Sequence, residues 1–194
     1  MLGLKLATDP RWVNIVESNI DEILTDHAFC EQKAASNAIS IIVNHPEYPE
    51  LVESMIAIAR EELEHFGMVH ELIRERGQVL GRERKDSYVN ELMAFIKIPN
   101  RERVEVLVDR LLLAAMIEAR SCERFRVLSE NIKDPKLAKF YRDLMISEAD
   151  HYTTFITFAR ELGKGVDVEK RWQEFLAYEA TVIAKYGNDE KIHG

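Results

Sequence analysis

Glu62-Leu-Glu-His65 and Glu148-Ala-Asp-His151 each set a carboxylate three residues ahead of an imidazole. On a helix that spacing puts both groups on one face. Carboxylates with a few imidazoles are a donor set for first-row metal ions, iron among them. A single Glu-x-x-His run is common on helix surfaces and says little alone. These two differ because each interrupts an otherwise apolar stripe. In steps of three and four, the first stripe reads Leu51, Met55, Ile58, Glu62, His65, Val69, Leu72. The second reads Leu137, Tyr141, Leu144, Glu148, His151, Phe155, Phe158.

Two further stripes each carry one carboxylate near the middle. One runs Ile20, Leu24, His27, Glu31, Ala34, Ala38, and the other Val104, Leu107, Leu111, Ala114, Glu118, Ser121, Phe125, Leu128. A core face does not tolerate a carboxylate without compensation, and four converging ones would repel one another. Two divalent cations balance four carboxylates in sign and number. One Glu from each of two helices, with Glu-x-x-His from each of two others, is the ligand pattern of ferritin-like bundles with a two-metal centre. The expected ligands are Glu31, Glu62, His65, Glu118, Glu148 and His151. The expected metal is a pair of irons, with manganese left open.

Neighbouring acids compete for these places, and depth along the helix decides between them. In an antiparallel hairpin, residues at one level lie equally far from the connecting turn. Glu31 and Glu62 fall 16 and 15 residues either side of a turn centred near residue 47. Glu118 and Glu148 each fall 15 residues from one near residue 133. Glu123 is only 10 residues before that second turn, and about 140° round the helix from Glu118. It reads as an exposed acid beside Arg124. Glu61 and Glu64 lie off their apolar stripe. The two hairpins look like an internal duplication, and His27-Ala-Phe-Cys-Glu31 resembles Ala119-Arg-Ser-Cys-Glu123. That alignment would select Glu123, but the turn distances outweigh it. His27 is either a partner that orients Glu31 or a satisfied core histidine. Cys30 and Cys122 read as small buried residues flanking the cluster. Tyr141 reads as core packing, with a radical or proton relay as its other reading.

Long helices are needed to hold these residues, and Gly and Pro mark where they stop. Asp9-Pro10 reads as a cap with Pro at the first helical position. His45–Pro49, Gly77–Gly81, Pro99-Asn100, Lys133-Asp134-Pro135 and Gly163–Gly165 are the other breaks. Helices are expected over about 12–43, 49–76, 101–131, 135–162 and 167–186, with a shorter one at 86–97 and no strand. The expected fold is all-α: a ferritin-like four-helix bundle with an additional short helix and a C-terminal helix. It is expected to form one domain over 1–194.

The 194 residues suffice for one sizeable core. A net charge of −8 argues against general affinity for nucleic acid but not against a local basic patch. Two stretches offer one: Arg74, Arg76, Arg82, Arg84 and Lys85, and then Arg120, Arg124, Arg126, Lys133, Lys136, Lys139 and Arg142. Both also carry acids and read first as solvated faces of mixed charge. No apolar run approaches the length of a membrane helix, and the first residues lack a signal-peptide pattern. Two cysteines make no disulfide framework. A cytoplasmic, reducing setting without a membrane partner is expected.

Several runs carry a family resemblance. They are His27-Ala-Phe-Cys-Glu-Gln-Lys-Ala-Ala35, Ala59-Arg-Glu-Glu-Leu-Glu-His-Phe66, Asp109-Arg-Leu-Leu112, Ile117-Glu-Ala-Arg-Ser-Cys-Glu-Arg-Phe125 and Ser147-Glu-Ala-Asp-His151. With Thr8-Asp-Pro-Arg-Trp12 and His193-Gly194, they resemble the bacterial tRNA-(2-methylthio-isopentenyl-adenosine) hydroxylase family over essentially the whole chain. The run Ile117–Phe125 is the most distinctive. The resemblance implies a non-haem di-iron monooxygenase that hydroxylates the isopentenyl group of that adenosine beside the tRNA anticodon. It implies dioxygen as co-substrate and two electrons from an external donor protein. It also implies that Glu62 and Glu148 bridge the metals, while Glu31, Glu118, His65 and His151 bind them terminally. On this reading the basic stretches meet the tRNA, and the protein is a monomer or dimer. Three other readings stand beside it: a di-iron oxygenase on another small substrate, an iron-binding or peroxide-scavenging protein, and a bundle that keeps the motif for structure alone.

Overall fold

Residues 2–83, 85–96 and 99–186 are described by a computed structural model. Among them are seven helices and no strand. In chain order they are α1 (Trp12–Ser18), α2 (Ile20–Asn44), α3 (Pro49–Glu75), α4 (Ser87–Phe95), α5 (Arg103–Asn131), α6 (Pro135–Leu162) and α7 (Val168–Tyr186). Arg84, Lys97 at the end of the expected short helix, and His193-Gly194 lie outside the described residues. The chain divides into two compact units, one built on residues 16–85 and the other on residues 2–15 and 86–186.

The helix expected over 12–43 is two helices, not one. Asn19 breaks it, with φ −134° and ψ 34°. Its N–H closes α1 on the carbonyl of Val16 at 3.1 Å, and its carbonyl opens α2 by accepting from Ile23 N–H at 3.0 Å. Ser and Asn side chains compete with helical backbone bonds, so Ser18-Asn19 is a weak point in any helix. The stripe beyond it is intact, with Leu24, His27, Glu31 and Ala38 all buried.

In the first unit α2 and α3 pair as a hairpin. Pro49 occupies the first turn of α3, where its missing N–H is no loss. At the other end Gly77 takes φ +72°, and Gln78 N–H bonds back to the carbonyl of Ile73 at 3.1 Å. This is the left-handed glycine cap that stops a helix. The buried face of α3 is the predicted one, Leu51, Met55, Ile58, Glu62, His65, Val69 and Leu72.

In the second unit α5 and α6 form the other hairpin. Asp134 caps α6 by accepting from Lys136 N–H at 2.9 Å and Leu137 N–H at 3.3 Å, with Pro135 beside it. Asp86 caps α4 in the same way through Val89 N–H at 2.9 Å. Helices α4 and α7 pack on each other and on α5. As a result α5 is enclosed on almost every side: of residues 107–129 only Arg110, Ile117 and Arg126 are not buried.

Candidate metal centre

Within the α2–α3 hairpin, Glu31, Glu62 and His65 converge. A donor atom of each lies within 4.8 Å of the others. His65 Nδ1 is 3.6 Å from Glu62 Oε2 and 3.8 Å from Glu31 Oε2. His27 is on the same face, and its Nε2–H donates to Glu31 Oε1 at 2.5 Å. All four side chains are buried. They meet because the three-and-four spacing stacks His27 on Glu31 and Glu62 on His65 along facing sides of two helices.

Within the α5–α6 hairpin, Glu118, Glu148 and His151 likewise bring one donor atom each within 4.8 Å of the others. They too are buried, lying between Leu111 and Phe125 along α5 and between Leu144 and Phe155 along α6, four residues at most 2% exposed. Each unit therefore gathers two carboxylates and one imidazole in an apolar setting. Oxygen donors with an imidazole suit a divalent first-row ion, and such a cation offsets the charge that burial disfavours.

Glu61 and Glu64 are exposed, as their place off the stripe requires. Cys30 and Cys122 are buried, and neither forms a disulfide. Cys122 donates from Sγ to the carbonyl of Met145 at 3.4 Å. Burial, and then the charge of Glu118, push its thiol up to about 11. Tyr141 is fully buried with its ring 5.4 Å from Phe125 and 5.2 Å from Phe140.

Three expectations on α5 are overturned. Glu123, read as an exposed acid, is buried and accepts from Thr8 N–H at 3.0 Å and Thr8 Oγ1–H at 2.5 Å. Arg120 and Arg124, read as part of a solvated or tRNA-facing surface, have no exposure at all. Arg124 lies over the Trp12 ring, 4.3 Å from its centroid. The sequence reading gave α5 one core face, whereas α4, α7 and the segment before α1 cover its other side. A signal was present: Leu111-Leu-Leu-Ala-Ala-Met-Ile117 is apolar all round, the mark of a helix buried on every side.

A profile of the tRNA-(MS[2]IO[6]A)-hydroxylase (MiaE) family matches residues 2–194. The tRNA 2-(methylsulfanyl)-N(6)-isopentenyladenosine(37) hydroxylase of Pseudomonas putida is 34% identical over 98% of this chain and 91% of its own length. The protein of the same name from Salmonella typhimurium is 25% identical over 90% of this chain and 80% of its own. Among solved structures, a Synechococcus protein described as having aldehyde deformylating oxygenase activity superposes with a TM-score of 0.86. It is 33% identical and covers 98% of this chain and 95% of its own. The expected all-α, ferritin-like class holds. With a family profile matched from the second residue to the last and a relative 34% identical over nearly its whole length, this chain belongs to the tRNA-(MS[2]IO[6]A)-hydroxylase family.

Proposed function

We propose that this protein hydroxylates the isopentenyl group of 2-methylthio-isopentenyl-adenosine in tRNA, as a di-iron monooxygenase. The observation that carries the reading is the full-length match to a family of tRNA hydroxylases in a chain whose two hairpins each bury a Glu, Glu, His triad. The proposed ligands are Glu31, Glu62 and His65 from one hairpin and Glu118, Glu148 and His151 from the other. Iron bound there would let dioxygen, two electrons and two protons place one oxygen atom in a C–H bond and release the other as water.

The chain's own residues prepare that reaction. His27 holds the Glu31 carboxylate in one orientation. The apolar residues above and below each triad exclude water, which strengthens every charge interaction among the ligands. The two electrons come from an external donor protein. The protein acts in the cytoplasm as one domain, monomeric or dimeric, and no helix among the described residues is long and apolar enough to cross a membrane.

A second reading rests on the Synechococcus structure, whose identity of 33% is close to that of the Pseudomonas relative. Here the same ligands would serve an oxygen-dependent reaction on an alkyl aldehyde. The deciding experiment incubates reduced, iron-loaded protein and oxygen with hypomodified tRNA and, separately, with an alkyl aldehyde. A gain of one oxygen on the prenylated adenosine by nucleoside mass spectrometry, absent in Glu62→Ala, is the expected result. Turnover of the aldehyde alone would transfer the proposal to the second reading.

A further inference from the structure

The run Ile117–Phe125 devotes only Glu118 to the metal triad, yet it holds three more buried charges. Arg120 follows Glu118 by two residues, about 200° round α5, and so points to the helix's other side. It is fully buried and every nitrogen of its guanidinium is engaged. Nε and Nη2 donate to Glu179 Oε1 of α7 at 2.9 and 2.6 Å. Nη1 donates to Glu123 Oε2 at 3.1 Å and reaches Thr8 Oγ1 at 3.4 Å. Nη2 also donates to the carbonyl of Leu6 at 3.0 Å. Tyr88 of α4 donates its phenol O–H to Glu179 Oε1 at 3.2 Å.

One guanidinium therefore ties α5 to α7, α4 and the segment before α1 at a single level of the helix. Burial works against its charge, but Glu179, the Tyr88 oxygen and Glu123 more than offset that and hold it protonated. Burial and Glu179 in turn push the Tyr88 phenol well above its ordinary range. The cluster is a fixed brace and not a titrating switch.

A buried ion pair is a poor stabiliser, because desolvation consumes most of the attraction; what it supplies is geometry. The forked guanidinium accepts only certain placements of its partners. It thereby fixes the rotation of α5 about its own axis, where a slip of one residue would swing Glu118 through about 100°. We infer that Arg120 is a positioning residue for the metal centre: braced by Glu179 and Glu123, it sets the aim of the Glu118 carboxylate toward Glu148 and His151. The inference rests on Glu118 being a metal ligand.

The same helix provides a control. Asp109, nine residues before Glu118, is buried and accepts from Arg171 Nε and Nη2, both at 2.7 Å, and from Arg101. Asp109→Asn loosens α5 from α7 away from the triad. The test loads the full-length protein with cobalt(II) and follows metal affinity, stoichiometry and the visible d–d absorption, with Tm measured on the metal-free protein. Arg120→Lys and Glu179→Gln are expected to weaken one of two cobalt sites about tenfold or more and to shift its absorption. Asp109→Asn, at a similar loss of Tm, is expected to leave both unchanged. Should Arg120→Lys not fold, Glu179→Gln, which keeps the volume and removes only the charge, gives the decision. A folded Arg120→Lys or Glu179→Gln with native affinity and spectrum would overturn the inference, as would an equal spectral change in Asp109→Asn. Glu118→Ala separates the two levels. Native cobalt binding in that variant would sink the ligand reading itself, whereas altered binding there with none in Arg120→Lys sinks only the positioning role.

Discussion

Glu31 receives the His27 N–H at 2.5 Å, and both side chains are buried one turn apart on α2. A carboxylate that binds metal through one oxygen is better presented when the other is held, so on the proposed ligand set His27 would act on a metal through Glu31. His27→Ala should lower metal affinity by about 10–100-fold, measured by competition with a chelator, while His27→Gln, which keeps a donor, should lose less. An unchanged affinity in His27→Ala would leave the histidine as core packing alone. Cys122 answers a different question, because its thiol is pushed from 9.0 to about 11 by burial and then by Glu118. Folding thus favours the protonated thiol. The associated stability is present below about pH 9 and is lost as pH rises toward 11. At pH 8 only about one thiol in a thousand is ionised. Iodoacetamide should therefore label Cys122 only after denaturation, and Cys122→Ala should flatten the loss of stability above pH 9 seen in urea titrations. Rapid native-state labelling at pH 8 would contradict the burial.

At the scale of elements, the join between α6 and α7 is the tightest of the described glycine positions. A Cβ on Gly163 would come 2.5 Å from the carbonyl oxygen of Ala159, 2.7 Å from Val168 Cγ2 and 2.9 Å from Val108 Cγ2. Neither backbone nor branched side chains can yield there, so Gly163→Ala should cost about 1–3 kcal/mol and lower Tm by about 2–12 °C in calorimetry. Gly67, inside α3 with nothing within 4 Å of its would-be Cβ, predicts the opposite sign. Gly67→Ala should stabilise by about 0.5–1 kcal/mol, because alanine gives up less backbone freedom. Such elements were legible where one side of a helix faces the core. The stripes of α2, α3 and α6 named their buried carboxylates and histidines before any coordinates did, and Pro49, Asp134-Pro135 and Gly163 marked their ends. The opposite side of α5 was not legible, since what buries Arg120, Glu123 and Arg124 is a segment more than a hundred residues earlier and a helix more than fifty residues later. Charge patterning along a helix reports solvent only when no remote element brings counter-charges to it. The break at Asn19 escaped for a smaller reason, as a single distorted residue leaves the apolar period intact.

At the scale of the molecule, a protein with net charge −8 that acts on tRNA must confine its phosphate contacts to a few cations. Of the residues in the two basic stretches, Arg120 and Arg124 are withdrawn into the interior. The exposed ones are Arg74, Arg76, Arg82 and Lys85 in one unit, and Lys133, Lys136, Lys139 and Arg142 in the other. Lys139 pairs with Asp143 one turn on, and Lys136 lies in the first turn of α6, where the amino-terminal dipole adds to the positive potential. Each phosphate neutralised contributes a slope of about −0.7 to −0.9 to the dependence of log K on log salt. Replacing Lys136, Lys139 and Arg142 together by alanine should weaken tRNA binding at low salt and flatten that slope by about 2–3 units, read by fluorescence anisotropy across a salt series. The matching triple at Arg74, Arg76 and Arg82 tests the other unit, and an unchanged slope removes whichever surface shows it. Arg124→Ala belongs to neither outcome. Its guanidinium sits on Trp12 away from water, so its loss should appear in Tm and leave the salt slope as it was. With a net charge of −8 opposing the phosphates, backbone attraction supplies only modest affinity, and discrimination falls to recognition of the modified base. Competition by tRNA lacking the isopentenyl group should therefore be markedly weaker than by prenylated tRNA, most clearly at high salt, where the phosphate contribution is screened.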